Sequence, residues 1–157
     1  MIEYTGKPYI LYRDGYKYQL VEDYEVVTSI RPETDIVTDF ICLDTMGRLW
    51  IKKGYAWDGP SGPAYDSPNF MRGSLVHDAL YQLMRQGHLD PKIHRKAADK
   101  EMVRICREDG MWALRRQWAY AGVRLGGENA ATKPRPILRA PPLPKGDGPI
   151  EDLVEEH

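Results

Sequence analysis

The sequence is poor in cysteine, in net charge and in long apolar runs, and each scarcity excludes something. Its 157 residues hold two cysteines, Cys42 and Cys106, both inside apolar segments and without CxxC spacing. That argues against a disulfide framework or a metal knuckle and for buried free thiols in a reducing compartment. Twenty-two basic residues against 23 acidic ones leave a formal charge of −1, so no global field draws the chain to nucleic acid or anionic membrane. No window approaches the ~20 apolar residues that span a bilayer, and the opening Met1-Ile2-Glu3-Tyr4 carries no export signal. The expectation is a protein made soluble in the cytoplasm. Histidine is scarce too: the four histidines all lie at or after His77. There are no internal repeats, and the length suits one domain with one core.

What is present begins as strands. From Lys7 to Trp57 apolar and polar residues alternate, with β-branched and aromatic types prominent. Tyr9–Tyr12 and Tyr16–Leu20 flank Asp14-Gly15, a two-residue hairpin signal. Tyr24–Ile30 follows, broken by Arg31-Pro32-Glu33, and Phe40–Leu43 and Arg48–Ile51 flank a turn at Thr45-Met46-Gly47. This predicts an antiparallel meander of ~4 to 5 short strands with one apolar face. Its tyrosines lack the interleaved basic residues of a base-stacking platform, so no nucleic-acid partner is expected.

Gly54 to Asn69 is rich in glycine, proline and aspartate, which no helix or central strand survives. Such a loop can turn carbonyls inward, and carbonyls plus a carboxylate suit a hard cation such as Ca²⁺. It can equally be a rigid connector that caps the next helix.

After the loop the period becomes helical. Helices are predicted from about Phe70 to Arg85, ending at Gly87; from Asp90 or Pro91 to Arg107, ending near Gly110; and from Met111 to Leu125, ending at Gly126-Gly127. The first two form a short-looped antiparallel hairpin, so heights count outward from the loop. His77, ten residues before Gly87, is then level with Asp99, nine after Asp90. Ala97 and Ala98 allow close approach there. On the first helix Ser74, His77, Asp78 and Tyr81 cluster within a turn, His77 and Tyr81 as an i, i+4 pair. A histidine at such a boundary beside a carboxylate is a general-base candidate, and a buried aspartate needs a partner such as its ring. The alternatives are a satisfied core histidine, and an Asp99 paired with Lys96 or Arg95 on a solvated face. In the third helix Trp112 and Trp118 are expected to cover the sheet or the helical pair, leaving Arg115, Arg116 and Arg124 on a basic outer face. The division expected is one α+β domain over 1–127 and a Pro-rich, acidic-ended extended tail over 128–157.

Trp57-Asp58-Gly59-Pro60-Ser61, Leu75-Val76-His77-Asp78-Ala79-Leu80-Tyr81 and Arg95-Lys96-Ala97-Ala98-Asp99 together resemble an uncharacterised family of phage and prophage proteins. Its pattern is a strand, a Gly/Ser/Pro loop, an HDxLY helix and a following AD helix, and the likeness covers roughly Asp35 to Arg107. It implies viral origin, synthesis in a host cytoplasm and a place in the virion as one destination. More distantly, the chain resembles the active site of the secreted phospholipases A2. That likeness implies His77 as the base that activates water, Asp99 as the carboxylate that orients it, and Tyr81 as a supporting tyrosine. It also implies Asp78 with the Trp57, Gly59 and Ser61 carbonyls as Ca²⁺ ligands. The disulfides and the glycine-dense calcium loop of that family are missing, and a sheet replaces its N-terminal helix. An HD-type phosphohydrolase is discounted because no histidine precedes His77.

Three function classes follow. One is a calcium-dependent lipid or ester hydrolase acting on phospholipid membrane at entry or lysis. The second is a non-enzymatic virion or assembly component that binds other phage structural proteins through its sheet surface and Pro-rich tail. The third is an inhibitor of host defence.

Overall fold

In the computed structural model the described residues are 10–13, 15–59 and 67–141. The chain divides into two units, 1–14 with 135–157, and 15–134. In the first, β1 (Ile10–Tyr12) pairs antiparallel with β8 (Leu138–Ala140), Leu11 opposite Arg139.

The second unit carries the core. Here β2 (Tyr18–Gln19) pairs with β7 (Ala56–Trp57). A four-stranded antiparallel sheet runs in the order β3 (Tyr24–Val27), β6 (Arg48–Ile51), β5 (Ile41–Leu43), β4 (Ile36–Val37). Period-two alternation decides its two faces. Ile36, Ile41, Leu43, Leu49 and Ile51 point inward and are buried, while Val37, Trp50 and Arg48 point out. Helices α1 (Pro68–Arg85), α2 (Pro91–Glu108), α3 (Ala113–Gly126) and α4 (Glu128–Thr132) follow. The inner sheet residues and Leu75, Val76, Ala79, Leu80 and Leu83 of α1 form one apolar cluster. The α+β class, with antiparallel strands first and helices after, is therefore the observed architecture.

Local rules explain the helix ends. Pro91 opens α2 behind Asp90, whose side chain accepts from the Lys92 N–H at 2.9 Å, a helix-start arrangement in which the proline sacrifices no bond. Gly87 ends the preceding turn at φ +79°, a conformation a side chain would strain. The α1–α2 seam is tight at Gly73, where an added Cβ would lie 2.6 Å from Cys106 Sγ and 3.0 Å from the Met102 carbonyl.

Several expectations are corrected. Among the described residues β1 pairs with β8 and β2 with β7 rather than with each other across Asp14-Gly15, of which Asp14 lies outside the described residues. Instead the Lys17 N–H donates to Trp57 O and Leu20 N–H to Tyr55 O, with Tyr18 and Trp57 rings 5.6 Å apart. Burial of the Trp57 ring over a long sequence separation outweighs a turn whose chemistry is only local. The meander holds for β4-β5-β6, whereas β3 joins at the edge of β6. Thr28 fixes that placement by donating both its N–H and its hydroxyl to Gly47 O, at 2.7 and 2.9 Å. The extended tail does not begin at 128. Glu128–Thr132 contains no proline or glycine and continues as α4, with Ala131 buried in the core cluster and Ala130 O accepting from Arg85. Finally, Trp112 and Trp118 do not cover the sheet or the helical pair: both are exposed, and α3 packs inward through Ala119 and Val123.

Candidate functional site

Helix α1 carries His77, Asp78 and Tyr81 on adjoining faces, and α2 brings Asp99 to them at the height the residue count gives. Asp99 is 0% exposed, and a carboxylate that deep requires partners. It has three. His77 Nε2 lies 2.7 Å from Oδ1, the Tyr81 hydroxyl donates to the same oxygen at 2.6 Å, and Arg124 Nη1 of α3 donates to Oδ2 at 2.8 Å. The His77 and Tyr81 rings lie with centroids 4.0 Å apart, tilted by 37°. Since a carboxylate can only accept, Nε2 carries a proton, and in a neutral ring Nδ1 is the free base.

On that other side of the ring Asp78 Oδ1 lies 3.8 Å from Nδ1. The Asp58 N–H, from the strand-to-loop segment after β7, points at Asp78 Oδ2 at 3.4 Å. Trp57 ties the same segment to α1 through its indole N–H, which donates to Ser74 Oγ at 3.2 Å, and Ser74 in turn donates to Met71 O.

The charges shift one another. Burial, the strongest single influence, lowers the His77 pKa, but Asp78 and Asp99 together outweigh it and carry the imidazole above its ordinary value. Burial likewise raises Asp99, yet its bonds from His77 and Tyr81, the His77 charge and Arg124 hold it below the usual carboxylate range. Tyr81 is raised by burial and then by its bond to the carboxylate. Folding thus favours an imidazolium–carboxylate pair with a neutral tyrosine.

His77, Asp99, Tyr81 and Asp78 therefore meet. The Ca²⁺ ligand set fares differently. The Trp57 carbonyl accepts the Lys17 N–H at 3.1 Å in the β2–β7 pairing, so it is directed to the strand ladder. What the segment turns towards Asp78 is the Asp58 N–H, a donor where a cation needs acceptors. Gly59 adopts φ +75°, and Ser61 lies outside the described residues. Among the described residues no cluster of three histidine, cysteine or acidic side chains can hold a metal. Of the implied ligands, the Trp57 carbonyl is thus engaged in the strand pairing.

Two participants escaped the sequence reading. Arg124 was assigned to a solvated basic face, although a buried aspartate implies a counter-charge that a neighbouring helix has to supply. Gly127 is needed because a Cβ there would lie 2.6 Å from the Tyr81 hydroxyl and 2.4 Å from Val123 O; the paired glycines were read only as a helix stop.

Comparison of the chain with models of protein families, with curated proteins and with solved structures gives no match in any of the three.

Proposed function

We propose that this chain is a phage protein that hydrolyses carboxylic esters of lipids, with His77 as general base and Asp99 as the carboxylate that orients it. The observation that carries the proposal is the 2.7 Å contact of His77 Nε2 with a fully buried Asp99 that also receives Tyr81 and Arg124. This fixes the ring and its tautomer and leaves Nδ1 directed away, towards the partly exposed Asp78. Neutral Nδ1 takes a proton from water as the water oxygen attacks the ester carbonyl. The resulting imidazolium, stabilised by Asp99, returns the proton to the departing alkoxide, and carboxylic acid and alcohol are released. The Asp58 N–H holds Asp78 Oδ2 beside that nitrogen at 3.4 Å. No step is assigned to the calcium that the phospholipase likeness implies.

A second reading is favoured by the complete burial of Asp99 and by the exposed Val27, Val37 and Trp50 on the outer sheet face. In it the polar cluster only fastens α1, α2 and α3, and the sheet face binds another phage protein.

Fatty-acid release from mixed phospholipid vesicles separates the two. Wild-type protein should release acid, and His77→Gln should not while keeping its circular dichroism spectrum. No release by the wild type, at any pH up to the alkaline range where His77 is neutral, would leave the fastening reading.

A further inference from the structure

Helix α3 turns its apolar side outward. Leu114 is 78% exposed, Trp118 50% and Leu125 89%, with Trp112, just before the helix, at 83%. Ala121 and Gly122 lie on the same exposed side. Leu114, Trp118, Ala121 and Leu125 follow at steps of four, three and four residues. This stepping aligns them in a narrow stripe of the kind one helix presents to another.

The sizes along the seam specify the second helix. Run antiparallel about a two-fold axis midway between Trp118 and Ala121, a second α3 sets Leu114 against Leu125. It also sets Trp118 against the small pair Ala121 and Gly122, so that each bulge meets a hollow. Run in parallel, Trp118 would meet Trp118 and Ala121 would meet Ala121, one contact overfilled and the other empty.

The flanking charges agree. The antiparallel arrangement brings Arg124 beside Gln117 and Arg115 beside Gly122, so no two arginines oppose each other. Arg124 is moreover neutralised by Asp99, and Arg115 donates to Asn69. The dipoles of the two helices are also opposed. Leu114, Trp118 and Leu125 expose on the order of 400 Å² per copy, so a pair buries roughly 800 Å², the size of a weak interface.

We propose that this face of α3 is the interface of a weak antiparallel homodimer of the chain. It is independent of the hydrolytic reading, since none of the seam residues touches the His77 cluster.

Sedimentation velocity of the full chain over a concentration series should show monomer passing to dimer. Trp118→Glu should raise the dissociation constant roughly tenfold or more while keeping the folded circular dichroism spectrum, because half of the residue lies in solvent. Register is read by crosslinking. In a Cys42→Ser background, oxidation of Leu114→Cys mixed with Leu125→Cys should give a covalent dimer, and neither variant alone should. A wild type that stays monomeric throughout, or crosslinks that form only between like variants, would overturn the proposal. So would monomeric protein that binds neutral and anionic vesicles and loses that binding with Trp118→Glu, which would assign the face to lipid.

Discussion

Replacing Asp99 by asparagine keeps the side-chain shape and removes the charge on which His77 and Arg124 converge. The loss divides unequally. Arg124 is about one-third exposed, with 32% of its side chain in solvent, so it can turn to water and its share is discounted to about 0–1 kcal/mol. His77 is 7% exposed, and its charge has no such outlet. Breaking a buried pair by removing one partner costs about 3–5 kcal/mol, and we expect ~3 kcal/mol here because Asp78 still faces Nδ1. The loss must depend on pH. His77 is raised above its unfolded value of 6.5, so its pairing stabilises fully below 6.5 and fades as pH rises through the folded pKa. Asp99 is lowered from 3.8, so its contribution is present above 3.8 and is lost as pH falls through the depressed value. Urea unfolding between 3.8 and 6.5 should therefore show the full penalty for Asp99→Asn, and unfolding at strongly alkaline pH only about 1 kcal/mol, the worth of an ordinary hydrogen bond. Equal penalties in the two ranges would refute the buried ion pair, as would a penalty below ~1 kcal/mol in the acidic one.

The same protonation logic sets the kinetics: wild-type hydrolysis should rise with pH along a limb lying above 6.5, and His77→Gln should abolish it in the vesicle assay. Asp78→Asn removes one of the two carboxylates that raise His77, so its limb should move to lower pH and its melting temperature should fall below pH 6.5 but not at alkaline pH, as pH–rate profiles and melts would show. Titration calorimetry should give no Ca²⁺ binding heat at millimolar calcium; binding that Asp78→Asn removes would restore the calcium ligand set. Gly127→Ala should cost ~1–3 kcal/mol by pressing Cβ onto the Tyr81 hydroxyl, whereas Gly126→Ala, with nothing within 4 Å of its Cβ, should be neutral in the same urea titration.

The helical hairpin was legible because its signals are local and agree: a proline after a capping aspartate, glycine stops, and an apolar period of 3.6. Residue counting alone then levelled His77 with Asp99. Strand partners were less legible. Asp14-Gly15 is a sound turn signal, but Trp57 offers β2 a larger buried surface from forty residues away, and sequence periodicity carries no record of such pairing. The burial of α3 was misread for a related reason. Its tryptophans look like core residues by type, and only the packing reveals that Ala119 and Val123 occupy the inner face. Arg124 was hidden by the same error, since turning the helix to bury its tryptophans turns that arginine to solvent.

One geometric division reconciles a buried ion pair with a catalytic base. All the fastening contacts lie on one side of the imidazole, where Nε2 meets Asp99, and Asp99 in turn joins Tyr81 of the same helix to Arg124 of α3. The other ring nitrogen takes no part in holding the helices together, and Asp78, its carboxylate neighbour, is partly open to solvent. A fastener requires only the first side. Directing Nδ1 towards a second carboxylate at 3.8 Å raises the histidine pKa, a contribution to stability that is present at low pH and lost as pH rises through the folded pKa. That carboxylate beside Nδ1, held by the Asp58 N–H, is a feature that the proposed chemistry uses and that the fastening of the helices does not require.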